Sequence, residues 1–193
     1  MTTNDRRPAL VRSYDNAAEI VAGVTEEQLS GPTPCADYDV AALVDHIVGA
    51  GWRAARLGKG ETPSGEEFPH VQLVVAADEL CRAGKEAAAA WADDGRLSEQ
   101  VTMPWGEVYT GATLVDMYLA ELAAHAWDLA AATAQLDRLD PGLAAVALDG
   151  ARAMLKPEYR DMIGVGNPFG AEVEAPVDAG DWDRLAAFMG RTP

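Results

Sequence analysis

Two residues of one short segment have the spacing and the chemistry of a metal site. Glu121 and His125 stand four positions apart in residues 121–128, ELAAHAWD. On a helix both side chains would leave the same face, which Leu114 and Tyr118 also share within the two preceding turns. Because an unpartnered carboxylate inside a helix bundle is costly, Glu121 needs a partner there. A divalent cation is a partner that would also use the histidine.

A third candidate ligand, His46, comes from a separate segment. It lies on the same stripe as Leu43 and Ala50, so the pattern predicts that it faces inward. If the two helices are neighbours, His46, Glu121 and His125 meet. This ligand set is typical of catalytic zinc sites, since three protein ligands leave a coordination position open. Zinc is the preferred candidate, with nickel, iron or cobalt as alternatives, because imidazole suits all four metals.

Ordinary structural roles compete with this interpretation. An inward histidine is more often a hydrogen-bonded core residue than a ligand, and a Glu and a His four apart can form a simple helix pair. The chain has only three histidines, and two of them lie on apolar faces beside suitable partners, which favours the metal. Asp128 could orient His125, although a solvated carboxylate or a structural hydrogen bond is an equal interpretation.

Other reactive or aromatic residues carry weaker signals. Cys35 could act as a nucleophile if a helix N-terminus lowered its pKa, but a buried, inert thiol is the preferred interpretation. His70 is predicted to lie on the surface. Three tryptophans could wall a pocket, although most tryptophans are simply core residues; they are Trp52, Trp105 and Trp127.

Composition limits the classes of function. The 193 residues, 49% of them hydrophobic and 24% charged, suit a single globular domain spanning residues 1–193. A net charge of −16 argues against nucleic-acid and anionic-membrane partners, since both need basic surfaces. Two cysteines make no disulfide framework, and no signal peptide or membrane-spanning run is recognisable, so we expect a cytoplasmic protein.

The elements that must position the candidate ligands are helices. Apolar periodicity predicts helices at about residues 8–24, 40–56, 70–92, 112–134, 141–155 and 182–189. Asp39 is the expected N-cap of the second helix, and residues 95–110 could form a short hairpin or an extended loop. The interacting side of the third helix is predicted to contain Val74, Ala77, Cys81, Gly84, Ala88 and Trp91. These elements predict an all-α, antiparallel bundle.

Three stretches resemble a known family. They are TPCADYDV (33–40) followed by LVDH (43–46), the helix ELAAHAWDLA (121–130), and NPFG (167–170) with the closing segment 183–191. Together they resemble the DinB-like superfamily that includes the N-terminal domain of mycothiol-dependent maleylpyruvate isomerase, a group of actinobacterial metal-binding proteins. The resemblance implies an up-down-down-up four-helix bundle with a divalent metal ion held by His46, Glu121 and His125.

The resemblance also supplies functional hypotheses. Members with known activity join a low-molecular-weight thiol, such as mycothiol or bacillithiol, to an electrophile, or use it as an isomerisation cofactor. We therefore expect a metal-dependent thiol S-transferase or thiol-dependent isomerase, acting on a small thiol and an electrophile as a monomer or homodimer. A hydrolase using metal-activated water and a non-catalytic metal or small-ligand binding protein are the alternatives.

Two departures from the family pattern qualify that expectation. The family often has Trp where this chain has Tyr38. Maleylpyruvate isomerase also carries a C-terminal domain for which this chain has no room, so isomerisation of maleylpyruvate itself is not expected.

Overall fold

Four long helices dominate the computed structural model, which describes residues 5–61, 68–104, 106–155, 160 and 170–193. They are α1 (Arg7–Ala22), α2 (Val40–Gly58), α3 (Leu73–Ala90) and α5 (Gly111–Ala132). Helix α1 packs against α3 and α5, and α2 packs against the same two helices, so α1 and α2 face each other diagonally. This arrangement confirms the predicted all-α bundle.

Shorter elements complete the chain. Between α3 and α5 lie helix α4 (Asp94–Ser98) and an antiparallel hairpin of β1 (Gln100–Thr102) and β2 (Val108–Thr110). After α5 come α6 (Ala144–Met154) and α7 (Asp181–Phe188). The hairpin and α7 were predicted, whereas α4 was not. Trp105 and residues 167–169 of the family-like tail lie outside the described residues.

Side-chain contacts show how α3 is oriented relative to α1 and α2. At its end, the Trp91 carbonyl accepts a hydrogen bond from Arg7 at the start of α1, so these helices are antiparallel. Trp52 of α2 donates a hydrogen bond to Glu79 of α3. Lys59, just beyond the last turn of α2, forms an ion pair with Glu86, which lies further along α3. Because these positions advance together, α2 and α3 are parallel.

The direction of α5 completes the topology. Arg6, at the start of α1, forms an ion pair with Asp116 in the second turn of α5. Gln135, beyond the end of α5, donates to the carbonyl of Ile20 near the end of α1. Helices α1 and α5 are therefore parallel, and the order of the four helices is up-down-down-up.

Local capping defines where the site-bearing helices begin. The Asp39 carboxylate accepts the Ala42 N–H at 2.8 Å, which confirms the predicted N-cap of α2. The Thr110 hydroxyl accepts the Thr113 N–H at 3.2 Å and caps α5. Each such cap stabilises a helix by about 1 kcal/mol. The caps therefore help to set where His46, Glu121 and His125 lie along the bundle axis.

Helix α5 lies at the centre of the molecule. It packs against α1 and α2 on one side and against α6 and α7 on the other. Every residue from Leu122 to Ala130 is buried, and these residues cover all sides of the helix. Ionisable side chains carried by this stretch are therefore enclosed by protein.

The predicted interacting side of α3 was partly wrong. Val74, Cys81 and Ala88 are exposed, and 81% of Val74 is accessible. The buried side instead contains Ala76, Leu80, Ala83, Gly84 and Ala87. In this alanine-rich helix the small residues give little directional information. The one leucine in the middle of the helix, Leu80, determines the buried face, and the predicted stripe omitted it.

Helix α6 begins at Ala144 rather than at Pro141, where the sequence predicted its start, because Pro141 lies in the preceding turn.

Among the described residues, no helix combines the length and the apolar character needed to cross a lipid bilayer.

Candidate metal centre

The structure brings His46, Glu121 and His125 together between α2 and α5. His46 Nε2 and Glu121 Oε1 are 2.8 Å apart, and His125 Nε2 is 3.6 Å from the same oxygen. One donor atom from each of the three residues lies within 4.8 Å of the other two. This is the convergence that the sequence pattern predicted. The role of these residues as ligands remains a prediction.

One atom of this cluster has a particular need for a partner. His125 Nε2 is buried and forms no hydrogen bond with any described residue. The other ring nitrogen, Nδ1, lies 2.9 Å from Asp128 Oδ2. Because an ionised carboxylate only accepts, Nδ1 carries a proton, so His125 in its neutral form would present an Nε2 lone pair toward Glu121. A buried polar atom without a partner costs about 1–3 kcal/mol, and a divalent cation would remove that cost.

The electrostatics of the cluster favour positive charge. Burial alone would raise the pKa of Glu121, but His125 and His46 together hold it well below its usual range. Burial alone would lower the pKa of His125, but the carboxylates of Asp128 and Glu121 raise it to about 9. In the absence of metal, a proton on His125 therefore supplies positive charge between two carboxylates. The donor atoms and this field both fit a divalent ion.

Asp128 is anchored by Arg191. Its side chain has no accessible surface and accepts hydrogen bonds from Arg191 Nη2 at 2.8 Å and from Arg191 Nε at 3.0 Å. Burial would raise the pKa of Asp128, but His125 and Arg191 lower it. The structure thus excludes a solvated carboxylate. A structural hydrogen bond and the orientation of His125 as a ligand both agree with this contact.

No sequence pattern predicts a role for Arg191 in the centre. Charged residues in a terminal segment are usually solvated, and no spacing relates Arg191 to Asp128. Only 4% of Arg191 is exposed. One sequence feature could have indicated that Arg191 turns inward: it directly follows Gly190 at the end of a predicted helix, where glycine reverses the chain.

Aromatic residues line the His46 side of the cluster. The Tyr38 hydroxyl is 3.1 Å from His46 Nδ1, and the ring centroids of Tyr38 and Phe68 lie 4.8 Å and 5.5 Å from that of His46. If His46 Nε2 binds a cation, Nδ1 carries the proton and donates to Tyr38. The indole of a Trp at position 38 could not accept that hydrogen bond, because its N–H only donates.

The remaining predicted residues lie in different environments. Cys35 is buried, and burial raises the pKa of its thiol although Arg191 lowers it, which agrees with an inert thiol. His70 is exposed and pairs with Asp45 at 3.0 Å, as predicted for a surface residue. Trp127 is buried, whereas Trp52 bonds Glu79 on α3, so this indole belongs to the α2–α3 packing.

A second group of donors shares His125. Cys35, His125 and Asp128 also present donor atoms within 4.8 Å of one another. This group is less suited to a cation, because Asp128 and His125 Nδ1 already bond each other and Arg191 brings a positive charge to the same carboxylate. A cation there would have to displace Arg191. In the cluster with Glu121, the carboxylate is paired with the two histidines themselves.

The up-down-down-up order of the four helices, with two histidines and one glutamate converging between two of them, defines a bundle of the DinB-like class. Comparison of the sequence with known families places the chain within that class. The chain belongs to the family of the mycothiol maleylpyruvate isomerase N-terminal domain, whose sequence model matches residues 10–130. His46, Glu121, His125 and Asp128 lie inside this range, and Arg191 lies outside it.

Relatives extend the likeness over nearly the whole chain. Two uncharacterized proteins of Mycobacterium tuberculosis, from strains CDC 1551 / Oshkosh and ATCC 25618 / H37Rv, are each 36% identical over 186 residues. The alignments cover 94% of this chain and 94% of each relative. The alignments therefore extend well beyond the 10–130 range of the family model.

Proposed function

We propose that this protein is a metal-dependent thiol S-transferase that joins a low-molecular-weight thiol of the mycothiol type to a small electrophile. The observation that carries the proposal is the buried, unpartnered Nε2 of His125 facing Glu121 and His46. Membership of a family named for a mycothiol-dependent isomerase supports the thiol as co-substrate.

The proposed ligands are His46 Nε2, Glu121 Oε1 and His125 Nε2, and zinc is the preferred metal. Three protein ligands leave a coordination position for a substrate atom. A divalent ion bound there lowers the pKa of a coordinated thiol, so that the thiol reacts as a thiolate at neutral pH.

The surrounding side chains would keep this arrangement in place. Asp128 accepts the Nδ1 proton of His125. With a cation on Nε2 of His46, the Tyr38 hydroxyl would accept the Nδ1 proton of His46, so both imidazoles would direct an Nε2 lone pair inward. The carboxylate of Glu121 offsets part of the ion's charge. The rings of Tyr38 and Phe68 limit the access of water on the His46 side, which strengthens electrostatic interactions in the site.

The chain's own thiols are poor candidates for the nucleophile. Cys35 is buried with a raised pKa, and Cys81 is exposed on the surface of α3. This favours a nucleophile delivered by a small-molecule co-substrate. If the thiol is released again after adding to the substrate, the same site would serve a thiol-dependent isomerase.

A direct assay tests the proposal. The metal-loaded protein is incubated with mycothiol and monochlorobimane, and the fluorescent conjugate is measured beside a metal-free sample. We expect conjugation above the uncatalysed rate only with metal, and its loss in His46→Ala and His125→Ala. His70→Ala is the matched control, because His70 is an exposed histidine paired with Asp45.

Metal analysis accompanies the assay. Wild type and His70→Ala are expected to retain stoichiometric metal, and the two site variants are expected to lose it. A fully metal-loaded wild type that conjugates no faster than the thiol and electrophile alone would refute the transferase. Consumption of the electrophile in the absence of the thiol would indicate a hydrolase that uses metal-activated water instead.

A further inference from the structure

A continuous chain of polar contacts joins the C-terminal segment to the candidate metal centre. Arg191 donates from Nε and Nη2 to the carboxylate of Asp128, and Asp128 accepts from Nδ1 of His125. All three side chains are almost completely buried. His125 is thus the inner end of a relay that begins beyond α7.

The end of α7 is shaped so that Arg191 can reach α5. The Arg191 N–H donates to the Ala186 carbonyl and the Gly190 N–H to that of Ala187, which is the Schellman pattern of a helix C-terminus. Gly190 has φ +85°, and an added Cβ there would lie 2.8 Å from the backbone of Gly170. Glycine is therefore needed for the turn, and the turn directs Arg191 back into the protein.

The contact geometry favours arginine over other cations. The planar guanidinium presents two N–H groups side by side to the Asp128 carboxylate, which holds it in one orientation. Nη1 of Arg191 donates to the Met189 carbonyl at 2.7 Å, so the guanidinium is also anchored to its own segment. A carboxylate held in this way can hold the imidazole ring of His125 in turn.

We propose that Arg191 is a positioning residue of the metal centre. It locks Asp128, Asp128 locks the ring of His125, and His125 Nε2 is thereby kept directed at Glu121. The functional unit then includes α7 and its terminal turn, outside the 10–130 range of the family model. This inference rests on the metal site of the proposed function, whose ligands it extends.

Metal affinity measured against a competing chelator tests the proposal. Loss of a residue that orients a ligand typically weakens metal binding by roughly 10–100-fold, and we expect this for Arg191→Gln. The matched control is Arg184→Gln, because Arg184 lies on α7 in a half-exposed pair with Asp181. This control is expected to bind metal as tightly as wild type.

A double-mutant cycle separates positioning from general stabilisation. If Arg191 acts through Asp128, Arg191→Gln should change metal affinity little in a protein that already carries Asp128→Asn. Arg191→Lys, which keeps the charge without the planar fork, should restore part of the affinity and replaces Arg191→Gln if that variant fails to fold. Unchanged affinity in the folded Arg191 variants would overturn the proposal.

A second readout uses chelator-treated protein and needs no bound metal. The Nδ1–H proton of His125, assigned by its loss in His125→Gln, should exchange slowly with water in wild type and in Arg184→Gln. Its exchange should be faster in Arg191→Gln. A wild type that binds no metal would refute the proposed function, whereas tight wild-type binding with an unaffected Arg191→Gln would refute only the role of Arg191.

Discussion

The two histidines of the candidate centre are held in different ways. His125 lies on the central helix, is 1% exposed and is backed by the buried carboxylate of Asp128. His46 lies on α2, keeps 15% of its side chain accessible and is backed by the hydroxyl of Tyr38. One imidazole is thus held by buried charge and the other by a neutral aromatic residue nearer the surface. The His125 side is therefore the more firmly held, or rigid, side of the site, and the His46 side is the more accessible one.

Among the changes considered for the His125 side, removal of the Asp128 carboxylate should lower the stability of the protein most. Asp128→Ala leaves Arg191 as a buried charge without its carboxylate, which should lower the free energy of unfolding by about 3–5 kcal/mol. Glu61→Ala, which removes the carboxylate of the half-exposed pair with Arg56, is the comparison and should cost less than about 1 kcal/mol. Urea unfolding of the metal-free proteins measures both. Equal losses would contradict the asymmetry between buried and exposed pairs.

The buried side should also give the metal-free protein an alkaline instability. The pKa of His125 is raised from 6.5 to about 9, so its charged form contributes stability below pH 6.5 that is lost as the pH rises through 9. The loss should be at most about 3–4 kcal/mol, since one pKa unit corresponds to about 1.4 kcal/mol. Urea midpoints across this range measure it, and His125→Gln should remove the effect while His70→Gln retains it.

Metal affinity should be more sensitive to the rigid ligand than to the accessible one. We expect His125→Ala to weaken binding by more than about 100-fold, beyond the usual effect of an orienting residue. His46→Ala should weaken binding less, because water can occupy the vacated position on the more accessible side. Competition with a chelator ranks the two variants. A larger loss for His46→Ala would reverse the assignment of the rigid side.

The smallest effect is expected from the partner of His46. Tyr38→Phe keeps the aromatic ring and removes the hydroxyl, so it should cost about 1 kcal/mol of metal-binding free energy, the usual value of one hydrogen bond. Tyr38→Trp should be no better, because its indole N–H cannot accept the Nδ1 proton of His46. Isothermal titration with metal compares the variants, and affinities equal to wild type would remove Tyr38 from the centre.

The sequence was informative wherever one residue decided a contact. Asp39 predicted the start of α2, and the four-residue spacing of Glu121 and His125 predicted their common face. These features depend on local backbone geometry, which repeats at a known period. The ligand cluster could therefore be predicted once α2 and α5 were taken as neighbours.

The sequence was uninformative where packing between distant segments decided the outcome. The buried face of α3 is decided by its packing against α1 and α2. Because alanines occur on every side of this helix, they do not show which side is buried. The contact of Arg191 with Asp128 joins residues 63 positions apart, and it forms only because Gly190 turns the chain toward α5. Such long-range contacts leave no periodic signal.

The wide separation of these contacts has a kinetic consequence. His46 and Glu121 are 75 positions apart, and Asp128 and Arg191 are 63 apart, so each contact closes a long loop of chain. Helices form from local contacts and precede such closures. A nascent bundle should therefore acquire its cation-binding geometry late, and the docking of α7 should be the step that completes it.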